Sequence, residues 1–355
     1  MKVLVTGATG FVGSEIAREL VRQGHQVRVL VRKTSKLDGL KDVPHERVEG
    51  DILDRASLDR ALEGMEALIH AAANVSARIR DAALIDRVNV EGTRTVLDAA
   101  AARPGLRVVY TSSVATIGAT ETPSLQTESS PWRSGDGYQY IDAKRRAEEF
   151  VLQHAQRGLD VVILNPGMVL GPGDIYLGST RVVLEFLKGR LGWITDGGIS
   201  FCDVRDVAKA HVAALTKGKR GERYIVASMN QTLYDALATI ARLSGKRPAR
   251  RAPWALVWLA ASFSELLSVF REHSLEELNR PVARYSRLFN WTDSAKASRE
   301  LGYSIRPFED SVRDTIQDFL ARGLIEADTP ELRALAERAA PATGTVSSAR
   351  EVALV

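Results

Sequence analysis

Cysteine is almost absent from this chain. The only one, Cys202, stands in 355 residues, which excludes an intrachain disulfide or a cysteine-based metal cluster and suits a reducing, cytoplasmic setting. Six histidines are scattered without metal-ligand spacing, so no structural metal is expected. Charge of one sign is missing too: a net charge of +4 is slight for this length and supplies no basic stripe for nucleic acid. No serine sits in Gly-x-Ser-x-Gly and no Gly-x-x-x-x-Gly-Lys occurs, leaving hydrolase and P-loop readings without support. Long apolar runs are also lacking. "APWALVWLAASFSELLSVF" at 252–270 is interrupted by Ser262, Ser264 and Glu265 and falls short of the roughly 20 residues a spanning helix needs. The chain opens on "KVLVTG" with neither charged leader nor apolar core, so no signal peptide is expected.

What is present is a soluble globular composition, 45% hydrophobic and 26% charged, long enough for two substructures. In the first half, short β-branched runs alternate with amphipathic stretches. "KVLVT" precedes a helix from about Phe11, "QVRVLV" a loop, "ALIHAAA" a helical run to Ala102, "RVVYTSS" a further helix, and "DVVILNP" ends the series. This alternation predicts an α/β fold, a Rossmann-type doubly wound parallel sheet with crossover helices on both faces. After about Asn165 the pattern breaks down. Residues 1–165 are therefore read as the dinucleotide-binding domain, with a return segment at 201–216 around "CDVRDVAKAHVAAL". Residues 166–325 are read as a smaller, discontinuous substrate-binding portion, and 326–355, ending in Ala, Ser, Thr and Pro without periodicity, as a mobile tail.

The strongest local signal is "VLVTGATGFVGSEIAREL", where Gly7, Gly10 and Gly13 fall between the first strand and the first helix. Glycines there allow a tight turn and close approach of a pyrophosphate to free helix N–H groups. Their spacing, Gly-x-x-Gly-x-x-Gly, departs from the general Gly-x-Gly-x-x-Gly fingerprint. At the end of the second strand an acid would bind ribose hydroxyls and a base a 2′-phosphate. The sequence offers Arg32, Lys33 and Lys36 and no acid, favouring NADP(H) over NAD, with a solvated basic loop as the alternative. Further on, "YQYIDAK" sets Tyr140 four residues before Lys144, on one face of a helix. Tyr138 has Asp142 at that offset and no cation. A tyrosine with an ammonium nearby can serve as proton donor to an alkoxide formed by hydride addition, and Ser113 at a strand end can hold the carbonyl oxygen.

Taken in order, "TGATGFVG", "GDILD", "HAAA", "NVEGT", "YTSSVATIG", "YIDAK", "LNPGMVLGPGD" and "SAKASRELGYSIRPFEDSVRDTIQDFL" resemble the extended short-chain dehydrogenase/reductases over roughly residues 1–325. The likeness is greatest to the dihydroflavonol 4-reductase group, including the bacterial hopanoid-associated sugar epimerases, with 3β-hydroxysteroid dehydrogenases as near neighbours. This resemblance implies a catalytic set of Ser113, Tyr140 and Lys144. It implies a cofactor lying against Gly7, Gly10, Phe11, Val12 and Gly13, with Arg32 and Lys36 at its phosphate, Asp51 and Ile52 at adenine, Ala71, Ala72 and Ala73 alongside, Pro166, Met168 and Val169 at nicotinamide, and Tyr140 and Lys144 also in contact. Ser112 is read as bonding backbone or packing. Asn89 matches a family asparagine that either holds backbone or takes part in proton transfer.

Nucleotide-sugar epimerases and dehydratases, which recycle NAD, share this apparatus. "LNPGMVLGP" follows the reductase-like group instead, and its apolar wall suits a mainly apolar small molecule. The expectation is an NADP(H)-dependent oxidoreductase acting on a ketone or secondary alcohol. A non-catalytic dinucleotide sensor would have no use for the tyrosine and lysine. The apolar segment Pro253 to Phe270 is read either as a buried helix or as a lid over a hydrophobic substrate. With Lys246, Arg247, Arg250 and Arg251 beside it, a third reading is peripheral contact with an anionic membrane. No nucleic-acid partner is expected, and a homodimer is left open.

Overall fold

A computed structural model describes residues 1–132, 137–268 and 279–339. Its first half runs β1 (Lys2–Thr6), α1 (Phe11–Arg22), β2 (Gln26–Val31), β3 (Glu46–Glu49), α2 (Arg55–Ala61), β4 (Ala67–His70), α3 (Ala82–Ile85), α4 (Gly92–Ala101), β5 (Arg107–Thr111), α5 (Gln139–Gln156) and β6 (Val161–Pro166). The second half adds β7 (Met168–Leu170), α6 (Arg181–Leu187), β8 (Trp193–Ile194), β9 (Gly198–Asp203), α7 (Val204–Lys217), β10 (Arg223–Val226), β11 (Met229–Thr232) and α8 (Leu233–Ser244). It ends with β12 (Arg250–Arg251), α9 (Trp254–Ser268), α10 (Arg280–Tyr285), β13 (Phe289–Asn290), α11 (Ala295–Leu301), α12 (Phe308–Ala321) and α13 (Pro330–Ala339).

The main sheet has seven strands in the order β10-β6-β5-β4-β1-β2-β3, all parallel, as the alternation of strands and helices predicts. β1, β4 and β6 are almost wholly buried because helices cover both faces, which is why they read as continuous apolar runs. On one face α1 and α7 pack on Val3, Val5, Ile69 and Leu164. On the other, α2, α4 and α5 enclose Leu4, Leu68, Val108 and Tyr110. A smaller sheet joins β11, β9, β13 and β7. Behind it Leu184, Phe201, Leu237, Ile316 and Leu332 form a separate core.

Two expectations, the tail and the loop after β2, are corrected, and the return segment is given its elements. Within 201–216 it is α7 that comes back to the main sheet, placing Val204, Val207 and Ala208 in its core; β9 before it pairs with β11 and β10 after it pairs with β6. α7 is the crossover helix between the two sheets and packs on α1, and "RYIV" is a strand of the main sheet. The proposed tail is folded over its first part. Thr329 and Pro330 start α13 as N-cap and first helical residue, the hydroxyl of Thr329 accepting from the Leu332 N–H at 3.2 Å, a recognisable helix start. Leu332 and Leu335 are buried, and residues 340–355 lie outside the described residues. β3, read as a loop, is a strand at the sheet edge, where its charged side chains suit an exposed position.

Candidate functional site

Because the main strands are parallel, the residues that follow β1, β2, β4, β5 and β6 all gather at one edge of the sheet, where open α/β sheets bind ligands. The glycine turn after β1 is there. Gly7 has φ +75°, and a Cβ on it would lie 2.5 Å from the Ala72 N, so the chain after β4 rests directly on it. A Cβ on Gly13 would meet the Gly7 carbonyl oxygen at 2.1 Å. Only glycine permits this turn. Gly10 caps α1 with no side-chain bond, leaving the first-turn N–H groups, including those of Phe11 and Val12, free of any side-chain acceptor. These donors and the helix dipole face the loop as an anion cradle, so the residues present fit a dinucleotide diphosphate.

Around that cradle the other expected cofactor residues are placed as follows. Ala71 is tied to β1 by its N–H to Thr6 O at 3.1 Å, Ala72 is half-buried and Ala73 exposed. The backbone of the next residue, Asn74, is clamped by Asn89: Asn89 Oδ1 accepts from the Asn74 N–H at 2.7 Å and Asn89 Nδ2 donates to Asn74 O at 2.9 Å. Both ends of that amide hold backbone, from within a π-helical stretch at Asp86–Glu91. Arg32 and Lys36 are exposed just past β2, where the Arg32 N–H bonds Ser35 Oγ at 3.1 Å. Among the described residues no carboxylate pairs with Arg32. Asp51 caps its own loop through the Leu53 N–H at 3.0 Å. Ile52 abuts Gly92 at the start of α4. Pro166 is buried at the end of β6 and Met168 is half-buried. Val169 is buried in the main apolar core beside Cys202, which leaves its backbone, not its side chain, for a ligand.

Tyr140 is the second residue of α5 and Lys144 lies one turn on. Ser113, extended just past the end of β5 and accepting from the Ala115 N–H at 3.2 Å, lies beside the Tyr140 hydroxyl. Burial pushes the Tyr140 phenol above its ordinary range and the Ser113 side chain draws it back, so without ligand the tyrosine is a neutral phenol. Lys144 adds no lowering of the phenol in this state. Lys144 is itself buried. Its ammonium donates to Thr111 O at 2.8 Å and Tyr110 Oη at 3.1 Å and lies 4.7 Å from the Tyr110 ring centre. Burial lowers it to about 8, with Glu148 pulling the other way.

The sequence reading missed several neighbours. Glu148, one further turn along α5, is fully buried. Its Oε2 accepts from Ser112 Oγ at 2.5 Å, Thr116 Oγ1 at 2.7 Å and Asn165 Nδ2 at 2.9 Å, while Arg223 from β10 reaches Oε1 at 3.3 Å. Ser112 thus bonds a carboxylate, and not backbone or mere packing as expected. Asn165 also donates to Ser113 O at 3.0 Å, coupling this network to the Ser113 backbone. The spacing Tyr140, Lys144, Glu148 down one helix face was the available signal. His70 bridges Thr6 and Thr93 at 2.6 and 3.1 Å, and burial together with Lys144 holds it neutral, down to about 3. Tyr138 stands 6.2 Å from Tyr140 between ring centres and meets Tyr285 edge-on at 6.0 Å. Tyr285 is distant in sequence and gave no local signal.

Comparison with known proteins agrees with this architecture. The model of the NAD dependent epimerase/dehydratase family matches residues 3–227. A Synechocystis sp. protein provisionally named dihydroflavonol 4-reductase is 36% identical over 91% of this chain and 95% of its own. Sterol demethylase protein B of Methylococcus capsulatus is 34% identical over 92% of this chain and all of its own. Among solved structures, UDP-glucose 4-epimerase of Thermus thermophilus in complex with NAD superposes with a TM-score of 0.72 at 25% identity, covering 92% of this chain and all of that one. With a glycine cradle on a seven-stranded parallel sheet and a family match over more than half its length, the chain belongs to the NAD dependent epimerase/dehydratase family, whose members are NAD(P)-dependent.

Proposed function

We propose that this protein is an NADP(H)-dependent oxidoreductase of the CH–OH class, exchanging a hydride with a ketone or secondary alcohol on a mainly apolar small molecule. The observation that carries this reading is the convergence at the sheet edge of the glycine cradle: Ser113 follows β5, Tyr140 and Lys144 lie one turn apart at the start of α5, and the buried Lys144 is anchored to Thr111 O at 2.8 Å. When bound, the nicotinamide cofactor supplies or takes up the hydride. The chain does the rest. Ser113 Oγ orients the carbonyl oxygen, and the Tyr140 phenol, kept protonated by burial, gives its proton to the developing alkoxide. The Lys144 ammonium, fixed by Thr111 and Tyr110, stabilises the phenolate left behind, as does the positive end of α5. Gly7, Gly10, Phe11, Val12 and Gly13 would hold the diphosphate, and the unpaired Arg32, with Lys36, would take the 2′-phosphate. Tyr138, Tyr285 and Met168 supply an aromatic and apolar wall, in keeping with the sterol and flavonol names of the two relatives. A cytoplasmic setting completes this reading.

The second reading, a nucleotide-sugar epimerase that recycles NAD, is favoured by the likeness to UDP-glucose 4-epimerase. One experiment separates the two. Ketones and secondary alcohols of graded polarity are offered with NADPH or NADH, and cofactor absorbance is followed against product. The oxidoreductase consumes NADPH in step with product and prefers it to NADH. Product formed with no net change in cofactor would establish the epimerase instead.

A further inference from the structure

α9 departs from the rest of the molecule in what it leaves outside. No charged residue occurs from Pro253 to Ser264, yet Leu256, Leu259 and Phe263 are 58%, 63% and 61% exposed. Their spacing of three and four puts them on one stripe of the helix. Among the described residues of α9, Ala261 and Ser264 away from the stripe are the buried ones, and α9 lies against α10. Side chains of this size exposed together mark an interaction surface.

Basic and aromatic side chains lie off the stripe, on the α10 side of α9 and on β8 and β12. Arg250 sits 5.8 Å from the ring centre of the exposed Trp193, Arg284 lies 5.5 Å from that of Trp258, and Arg287 5.1 Å from that of Trp254. Arg287 pairs with Glu121 at 3.7 Å and Arg251 with Asp196 at 3.3 Å, whereas Arg247, Arg250 and Arg284 are exposed and have no ion pair among the described residues. Apolar side chains on one side of the helix, with indoles and guanidiniums on the side behind them, match an interfacial helix whose apolar face enters the acyl layer while its cationic side stays at the headgroups. A second copy fits less well, since a stripe-on-stripe contact would bury the apolar side chains but give these guanidiniums no anion. At 15 residues the helix spans about 22 Å, less than the roughly 30 Å of a hydrocarbon core. No helix among the described residues is long and apolar enough to cross a membrane.

We propose that the α9 face formed by Leu256, Leu259 and Phe263 docks this protein on an anionic lipid surface, with Arg247, Arg250 and Arg284 meeting the headgroups. The docked element is braced to the candidate cleft. Asn279, capping α10, donates to Ala77 O at 2.8 Å in the loop after Ala73, and Tyr285 at the far end of α10 meets Tyr138. Docking therefore brings the cleft to the lipid boundary, where an apolar substrate would be dissolved. That consequence rests on the proposed activity, but the docking does not.

The test is sedimentation of the full chain with vesicles of phosphatidylcholine, alone or with about one-third phosphatidylglycerol, at low and high salt and without substrate. Binding to the anionic vesicles should be at least tenfold tighter than to neutral ones and should weaken with salt. Each reversal among Arg250→Glu and Arg284→Glu should cost about fivefold or more. Leu259→Glu with Phe263→Glu should abolish pelleting while leaving the melting temperature and NADPH binding unchanged, and the milder Leu259→Ser should reduce it. The proposal is overturned if the chain does not pellet with anionic vesicles, or if pelleting survives the double substitution. It is equally overturned if light scattering finds that this substitution splits a dimer that never bound vesicles. A chain that binds vesicles but never consumes NADPH would sink the proposed activity and leave the docking intact.

Discussion

The glycine turn after β1 and the helix α9 are built on opposite principles. At the turn, space is so short that a single Cβ on Gly13 would collide with backbone, and buried hydrogen bonds continue outward through Asn89, Lys144 and Glu148. At α9, bulky side chains stand in solvent with little packed over them. The same chain thus fixes one region by exclusion of volume and leaves another as a surface awaiting contact. Perturbing the first should cost turnover or cofactor binding. Perturbing the second should cost neither.

The largest effect should come from the catalytic end of the rigid region. Tyr140→Phe removes the proton donor and keeps the ring, so kcat should fall by about 10²–10⁴ while cofactor affinity, read by fluorescence titration, stays near that of the wild type. Near-normal turnover would remove Tyr140 from its role. Gly13→Ala comes next. A methyl placed 2.1 Å from the Gly7 oxygen forces the turn apart at a cost of about 1–3 kcal/mol or more, and NADPH binding should weaken at least tenfold in calorimetry. Unaltered binding would mean that the diphosphate lies elsewhere.

A pH profile probes the same region more gently. Lys144 is a base lowered to about 8, chiefly by burial and against the pull of Glu148, so its cation is present below that pH and lost above it. Carbonyl reduction should be flat below about pH 8 and fall about tenfold per unit above it. The break should vanish in Lys144→Arg, whose guanidinium stays charged, whatever activity that variant keeps. A break retained in Lys144→Arg would assign it to another group.

The rigid region was also the legible one. Alternating strands and helices, the glycine spacing and Tyr140 with Lys144 are all local patterns, and crossover connections of fixed hand then turn the alternation into a parallel sheet with helices on both faces. What escaped the sequence was non-local. Arg223 reaches Glu148 from a strand that returns to the sheet only after a second sheet has intervened, and Tyr285 meets Tyr138 across the fold. α13 was missed for a different reason: composition toward the chain end outweighed the Thr329-Pro330 start signal. The apolar run at 252–270 could be read as core, lid or membrane contact because its side chains are apolar nearly all round, and periodicity then cannot say which face is covered.

Two leucines sharpen this contrast at the small end of the scale. Leu332 on α13 is fully buried and Leu259 on α9 is 63% exposed, so the same truncation to alanine should separate them. Leu332→Ala opens a cavity in the second core and should cost about 2 kcal/mol or more by urea unfolding. Leu259→Ala removes methyl groups that already face water and should stay within about 0.5 kcal/mol. If Leu259→Ala destabilised the chain as much as Leu332→Ala, α9 would be packed in solution against something that its exposed stripe does not reveal, and a self-contact would replace lipid as its occupant. If neither mattered, α13 would be detached from the core, and the expectation of a mobile segment from residue 326 would stand.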